Sequence, residues 1–203
     1  MTRSAREWSE FYKVTRNSPP RVTLVKALEL FGAEPAVSSP LAFDLGCGAG
    51  SDVLALLEAG WNIVAVDNSS EALDHVRSRV PPECQSRCET VCTDIADAPL
   101  RSCRLVNASF SLPFCVPDRY HELWDRIANV IDPGGRFAGQ FFGPDDTWAR
   151  NGTVSWSTHD DVWSKLAEFD IEFFQVRNED GETSLGEKKH WHVFSVVAQK
   201  RIT

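Results

Sequence analysis

Leu41-Ala42-Phe43-Asp44-Leu45-Gly46-Cys47-Gly48-Ala49-Gly50 is the stretch whose reading decides the fold. An apolar run broken by one acid leads into three glycines at alternate positions, and Ser51-Asp52-Val53-Leu54-Ala55-Leu56-Leu57-Glu58 follows with helix-compatible residues. The order predicts a buried strand, a tight turn and a helix. Glycine serves where the backbone takes a positive φ, or where a ligand approaches the main chain with no Cβ in the way. At the carboxyl end of the first strand of an open α/β sheet, such a turn lies in the crevice that binds nucleotides. The stretch therefore predicts a site as well as a turn.

The spacing narrows the ligand. A dinucleotide fingerprint, G-x-G-x-x-G, needs Gly or Ala where Ser51 stands, and the pattern here is G-x-G-x-G. Asp44 would repel a pyrophosphate and suits a cationic ligand better. A second acid closes the pattern: Trp61-Asn62-Ile63-Val64-Ala65-Val66-Asp67 is a β-branched run ending in Asp67, about 20 residues past the first glycine, where nucleotide-binding βαβ units hold the ribose. One carboxylate can accept from both ribose hydroxyls.

Phe43 to Gly50, taken with Val64-Ala65-Val66-Asp67, resembles the first two motifs of class I S-adenosylmethionine-dependent methyltransferases. The resemblance implies that Asp44 lies near the cationic methionyl end of that cofactor, that Gly46, Cys47, Gly48 and Gly50 face its amino-acid and ribose parts, and that Asp67 holds the ribose. Asn68, beside Asp67, is a neighbour for the adenine or a turn-forming residue. At the end of the third strand, Thr93-Asp94-Ile95 matches the family in type and order: Asp94 would accept from the exocyclic amine while Ile95 covers the ring. Ile131-Asp132-Pro133-Gly134-Gly135-Arg136-Phe137 resembles the L-x-P-G-G-x-h signature that precedes the family's fifth strand. The fold implied is α/β: a Rossmann-like seven-stranded, mostly parallel sheet with an antiparallel C-terminal strand, helices on both faces and an N-terminal helical cap.

That cap is expected over residues 1–35. Trp8, Phe11 and Tyr12 recur at i, i+3, i+4 and share a helix face. Asn17-Ser18-Pro19-Pro20 supplies a turn and a helix start, and Val22, Val25, Leu28, Leu30 and Phe31 follow on a second helix. Trp8 to Tyr12 resembles the W-x-x-x-Y opening of tellurite-resistance-type and thiopurine-type small methyltransferases, where this helix is a lid. On that reading Trp8, Tyr12 and Arg16 line the substrate side; on the other, the aromatics are core.

Arg104-Leu105-Val106-Asn107-Ala108-Ser109-Phe110 reads as the fourth strand and its exit. In an open α/β sheet its carboxyl end lies beside that of the first strand. Asn107, Ser109 and Phe110 are therefore the candidates for contacts near the transferred methyl. Family members that methylate nucleobase amines or amide nitrogens often carry [DN]-P-P-[YF] here, and Asn107-Ala108-Ser109-Phe110 departs from it. A helix is expected from Asp118 to Ile131 with Leu123, Trp124, Ile127 and Val130 facing in. Another is expected from Thr158 or His159, with Val162, Trp163, Leu166 and Phe169 on its face. Trp148, in the polar segment after the fifth strand, is either substrate wall or buried anchor. Strands over residues 171–176 and 191–198 flank a turn-rich loop, Asn178-Glu179-Asp180-Gly181-Glu182-Thr183. His190 and His192, two apart on a strand, share a face and could act as a base or bind a metal.

At 203 residues the chain suits one α/β domain, residues 1–203. A formal net charge of -8 with no basic stripe argues against a nucleic-acid partner. No apolar run reaches the length of a membrane span, and Met1 to Glu7 leads into no signal-peptide core, so the expected compartment is the cytoplasm. Cys84, Cys88 and Cys92 form C-x3-C-x3-C, which matches no zinc or iron–sulfur spacing, so all six cysteines read as reduced thiols and no metal is expected. The function expected is methyl transfer from S-adenosylmethionine to a small-molecule acceptor, such as a thiol, selenium or metalloid centre. No general base stands out; Tyr12, Ser109, His190 and His192 are the candidates. A cofactor-binding regulator without catalysis and an NAD-dependent oxidoreductase are the alternatives.

Overall fold

The computed structural model describes residues 5–35 and 37–202, and of Ala5 and Arg6 the backbone alone. Residues 1–4 of the expected cap lie outside the described residues. Seven strands form one sheet: β1 (Leu41–Leu45), β2 (Asn62–Asp67), β3 (Cys88–Cys92), β4 (Cys103–Ala108), β5 (Ile131–Phe142), β6 (Phe169–Glu182) and β7 (Lys188–Lys200). Their order is β3-β2-β1-β4-β5-β7-β6. The first five are parallel, and β7 runs antiparallel between β5 and β6. This is the mostly parallel sheet expected, with the chain reversing direction on either side of β1.

The strands are apolar on both faces because helices cover both. Successive side chains of a strand point to opposite faces. Ala42, Ile63 and Ala65 accordingly pack under α2 (Val22–Gly32), α3 (Ser51–Glu58) and α4 (Ser70–Arg79), through Leu24, Leu56 and Leu73. Phe43, Val64, Val66 and Val106 pack on the other side under α5 (Pro117–Val130), whose Tyr120, Leu123, Trp124 and Ile127 recur at i, i+3, i+4, i+7. α1 (Ala5–Thr15) lies against α4 above the glycine turn, and α6 (Thr147–Arg150) and α7 (His159–Lys165) follow β5.

Local chemistry sets the boundaries. Ser69 caps α4 by accepting from Ala72 N, and Thr158 with Asp161 forms a reciprocal capping box on α7. Pro133-Gly134-Gly135 is looped out within β5, where Cys103 pairs with Ile131 but Leu105 with Arg136, and Gly134 takes a φ of 76°.

Three expectations need correction. The second helix does not start within Asn17-Ser18-Pro19-Pro20: α2 begins at Val22, with Arg21 at the N-cap position, no side-chain cap, and the Arg21 backbone N–H donated to Asp52. Trp163 does not face the core: it is 47 % exposed and hydrogen-bonds His159, because Val162 and Leu166 already fill the buried stripe. The segment from Asn178 to Glu182 is strand, pairing with β7 down to Glu182 opposite Lys188. Its Asn, Asp and Gly suggest a turn locally, but the partner strand outweighs propensity. β7 leaves β5 at Val193, so residues 188–192 pair with β6 alone and the hairpin stands beyond the sheet.

Candidate functional site

The glycine turn has the left-handed geometry its composition predicts. Gly46, Gly48 and Gly50 take φ of 71°, 52° and 85°. The N–H groups of Gly46 and Cys47 both donate to Val66 O, which ties the turn to the end of β2. A Cβ at Gly46 would stand 2.5 Å from Ser111 Cβ, and one at Gly50 2.8 Å from Val76 Cγ2. At Gly48 the nearest atom would be Tyr12 Cε1, at 3.7 Å. Gly46 and Gly50 are thus glycine for packing as well as backbone, whereas Gly48 opens toward the cap.

Asp67 sits at the carboxyl end of β2 and organises the turn from the other side. Its Oδ2 accepts from Gly48 N at 2.9 Å and its Oδ1 from Ser69 N at 2.9 Å. Tyr12 Oη donates to the same Oδ1 over a long 3.5 Å. Burial raises the Asp67 carboxyl above its ordinary range, against the pull of the Ser69 and Gly48 N–H groups. Burial, with Asp67 beside it, also raises Tyr12 above the usual phenol value.

Asp44 ends β1 deeper in the protein, 2 % exposed. The register pairs it with Asn107 of β4, and Asn107 Nδ2 donates to Asp44 Oδ1 at 2.8 Å. The same nitrogen donates to Asp52 Oδ2 at 2.9 Å, so one amide serves two buried acids. Asp44 Oδ2 is buried without a hydrogen-bond partner among the described residues. Burial and the neighbouring Asp52 push Asp44 well above the carboxylate range. A buried carboxyl oxygen without a partner beside a glycine turn is the arrangement a cationic group would satisfy, and such a group would favour its ionised form.

Beyond β4, Ser109 Oγ donates to Asn107 Oδ1 at 3.1 Å. Phe110 takes a φ of 55°, uncommon for a bulky residue. It is held there by Gln140, whose Oε1 accepts from Phe110 N at 2.8 Å while its Nε2 donates to Thr23 Oγ1 of α2 at 3.1 Å. Around Phe110 stands an aromatic wall. Phe142 and Trp191 are each 6.2 Å away by ring centre, Trp148 lies 5.6 Å from Trp191, and Phe114 joins Trp148 to Trp8 of α1. The Lys189 ammonium is caged inside the wall, 3.4 Å from the Trp148 ring centre and 2.6 Å from Asp146 Oδ1.

The fold thus brings Asp44, Asp67, the three glycines, Tyr12, Asn107 and Ser109 to one place, with Trp8, Phe110 and Trp148 in the adjoining wall. Cys47 is buried beneath the turn, and burial raises its thiol well above the ordinary value. Asn68 is exposed beside Asp67. Asp94 is exposed and accepts from Ala96 N, and Ile95 packs in the core under β2. Arg16 is exposed at the end of α1, near Arg79, which donates to Ala49 O. The histidines are elsewhere. His190 contacts Asp180 and Asn178 across the hairpin, and His192 Nδ1 accepts from Asp145 N. Among the described residues no three His, Cys, Asp or Glu side chains are grouped to hold a metal, and the six cysteines are free. No described helix is long and apolar enough to cross a membrane.

Asp52, Gln140, Asp146 and Lys189 escaped the sequence reading. Asp52 left a signal, an acid on the face of α3 that also carries Leu56.

Comparison with known proteins agrees with this geometry. Residues 42–135 match the family model described as a methyltransferase domain. The carboxy-S-adenosyl-L-methionine synthase of Psychromonas ingrahamii is 27% identical over 127 residues, 60% of this chain and 52% of that protein. The chain therefore spans about half the length of such relatives. TehB from Haemophilus influenzae superposes with a TM-score of 0.74 at 14% identity, over 94% of this chain and 66% of that one. The magnesium protoporphyrin IX methyltransferase of Synechocystis PCC 6803, solved with bound SAH, superposes with a TM-score of 0.69 at 13% identity, over 97% and 94%. The chain resembles class I S-adenosylmethionine-dependent methyltransferases, TehB among them, and has their fold.

Proposed function

We propose that this chain, with the class I methyltransferase fold and a methyltransferase-domain match over residues 42–135, transfers the methyl group of S-adenosylmethionine to a small acceptor. One observation carries the reading: Asp44 and Asp67 flank the glycine turn at the ends of adjacent parallel strands, and Asp44 keeps a buried oxygen without a partner. A cofactor with a cationic methionyl end and a neutral ribose fits that pair; a pyrophosphate does not.

Asp67 would hold the ribose, and Gly46, Cys47, Gly48 and Gly50 would face the ribose and amino-acid parts. Asp44 would compensate the cationic end, with Asn107 fixing its orientation. Asn68, Asp94 and Ile95 would border the adenine. When bound, S-adenosylmethionine would supply a methyl group on a sulfonium for transfer to a nucleophilic acceptor, with the carbon–sulfur electron pair left on sulfur. Ser109 and Phe110 would bound the path of approach, and Trp8, Arg16 and Trp148 the acceptor's remaining side. The protein's part is alignment and exclusion of water.

Burial raises the Tyr12 pKa, which favours its protonated form, and Ser109 Oγ is engaged as a donor to Asn107, so neither is assigned as a base. His190 and His192 have their contacts on the hairpin and the loop after β5. An acceptor that is already ionised or intrinsically nucleophilic, such as a thiolate, selenide or reduced metalloid, needs none.

Calorimetric titration with S-adenosylmethionine and S-adenosylhomocysteine, with NAD as control, tests the cofactor, and Asp67→Ala should abolish binding. Binding of NAD instead would return the oxidoreductase reading; cofactor binding without turnover of any soft acceptor would favour a regulator. The names of the relatives favour a second reading, in which the cofactor itself is carboxylated, and the mass of the cofactor product separates the two.

A further inference from the structure

Between the exit of β4 and the protruding hairpin runs a groove of about 510 Å³, bounded at its inner end by Phe110 and along its floor by Val193 and Ser195. Arg177, Asn178 and Glu179 form its β6 side. The Arg177 guanidinium carbon lies 5.2 Å from the Trp191 ring centre, and its Nε donates to Glu179 at 3.0 Å. A second guanidinium stands across Phe110: Arg21 Cζ is 5.3 Å from that ring's centre. Among the described residues the Arg21 guanidinium has no carboxylate partner; its backbone N–H donates to Asp52 and its carbonyl accepts from Val25 N.

We propose that this groove is the acceptor's anchoring subsite, and that it takes a flat molecule bearing one carboxylate. The inference rests on the methyltransferase reading and adds the substrate class to it. Three observations converge. Phe110, next to Ser109 at the end of β4, is both the groove's inner wall and part of the proposed reaction site, so one ligand can occupy the two. Phe110, the aromatic residue of the groove's lining, offers a ring to a planar body, with Arg177 held beside it over the Trp191 ring. The groove's own lining carries Arg177 and Glu179, which balance, and Arg21 over the Phe110 ring brings the local sum to +1 in a protein of net charge -8. A single positive charge matches a monoanion; a phosphate carries nearly two negative charges at neutral pH. The Arg177–Glu179 pair is exposed, where such pairs contribute little, so Arg177 can turn to a ligand at small cost.

The strain at Phe110 has a place in this scheme. Its positive φ, fixed through Gln140 from Thr23, sets the ring under the Arg21 guanidinium at the groove. The reaction site and the anchoring groove then share one rigid side chain.

The test is calorimetric titration of the full chain, saturated with S-adenosylhomocysteine, with benzoate, benzamide and phenyl phosphate as probes. Benzoate should bind about tenfold tighter than benzamide, the discrimination expected of a charge-assisted hydrogen bond. Arg21→Gln and Arg177→Gln should each erase most of that preference while leaving S-adenosylhomocysteine affinity within about twofold. Equal affinity for benzoate and benzamide, a preference that survives both substitutions, or tighter binding of phenyl phosphate overturns the proposal. If S-adenosylhomocysteine itself does not bind, the methyltransferase reading fails separately. The benzoate comparison, made without it, still decides the groove by the same criteria.

Discussion

The Tyr12 hydroxyl points at Asp67 Oδ1 from 3.5 Å, which puts the first helix on the carboxylate that ends β2. Oδ1 also accepts from Ser69 N, and Oδ2 accepts from Gly48 N. A carboxylate oxygen has two lone pairs, so Oδ1 is fully engaged and Oδ2 has one site left. Two ribose hydroxyls need two sites. Tyr12 must therefore yield its contact when Asp67 takes both.

Tyr12→Phe should tighten S-adenosylhomocysteine binding by about threefold, because a long, weak hydrogen bond no longer competes. Titration of the variant checks this. Looser binding would mean that the hydroxyl belongs to the bound state.

The glycines should separate by substitution. Gly46→Ala forces a Cβ into Ser111 and a residue with a Cβ into positive φ, and Gly50→Ala does the same against Val76. Each should cost about 3 kcal/mol or more. Gly48→Ala meets only ordinary contact with Tyr12 and should cost about 1–2 kcal/mol for the left-handed backbone alone. Its main effect should be on cofactor affinity. Chemical denaturation of the three variants ranks them, and a Gly48→Ala cost equal to that at Gly46 would refute the assignment.

Asp44 gives a pH dependence of defined sign. Its folded pKa stands above the unfolded one, so the native state holds the proton more tightly. The stability it contributes is complete below the ordinary carboxylate range and is lost as pH rises through the raised value. Asp44→Asn should therefore raise the melting temperature at about pH 8 by roughly 2–4 °C, the equivalent of about 1 kcal/mol in a chain of this size, with no gain near pH 4. Cofactor affinity should fall. Melting curves at the two pH values decide it; a gain of the same size at both would show that the carboxylate is not the cause.

Lys189 and Asp146 are a different kind of pair, 2% and 0% exposed by side chain. Asp146 also accepts from Trp148 N and His192 N, so it joins the loop after β5 to β7. Lys189→Met leaves a buried carboxylate without its cation, at a cost of about 3–5 kcal/mol. Adding Asp146→Asn should recover part of that loss. A single variant that melts within about a degree of the parent would show that the cage of Trp148 and Trp191 does not depend on the charge.

The sheet and half of the site were legible because their signals are local. Three glycines at alternate positions and an acid at each strand end specify a turn and its flanks within one βαβ unit. Asn107 was found by topology, since β4 pairs with β1. What escaped depends on partners far along the chain. Gln140 sits in an apolar strand and acts by joining Phe110, 30 residues away, to Thr23, 117 residues away, and Asp146 meets Lys189 across 43. Asn178 to Glu182 has loop composition and becomes strand only because residues 188–192 lie opposite it.

That protruding hairpin decides how the sheet meets other molecules of its kind. β6 is an outer strand of 14 residues, long enough to template a further strand. Its free stretch holds Glu179, Asp180 and Glu182, all exposed. A second copy laid against it would bring like acids into register and strip water from them. Those acids thus oppose the addition of an eighth strand at the β6 edge.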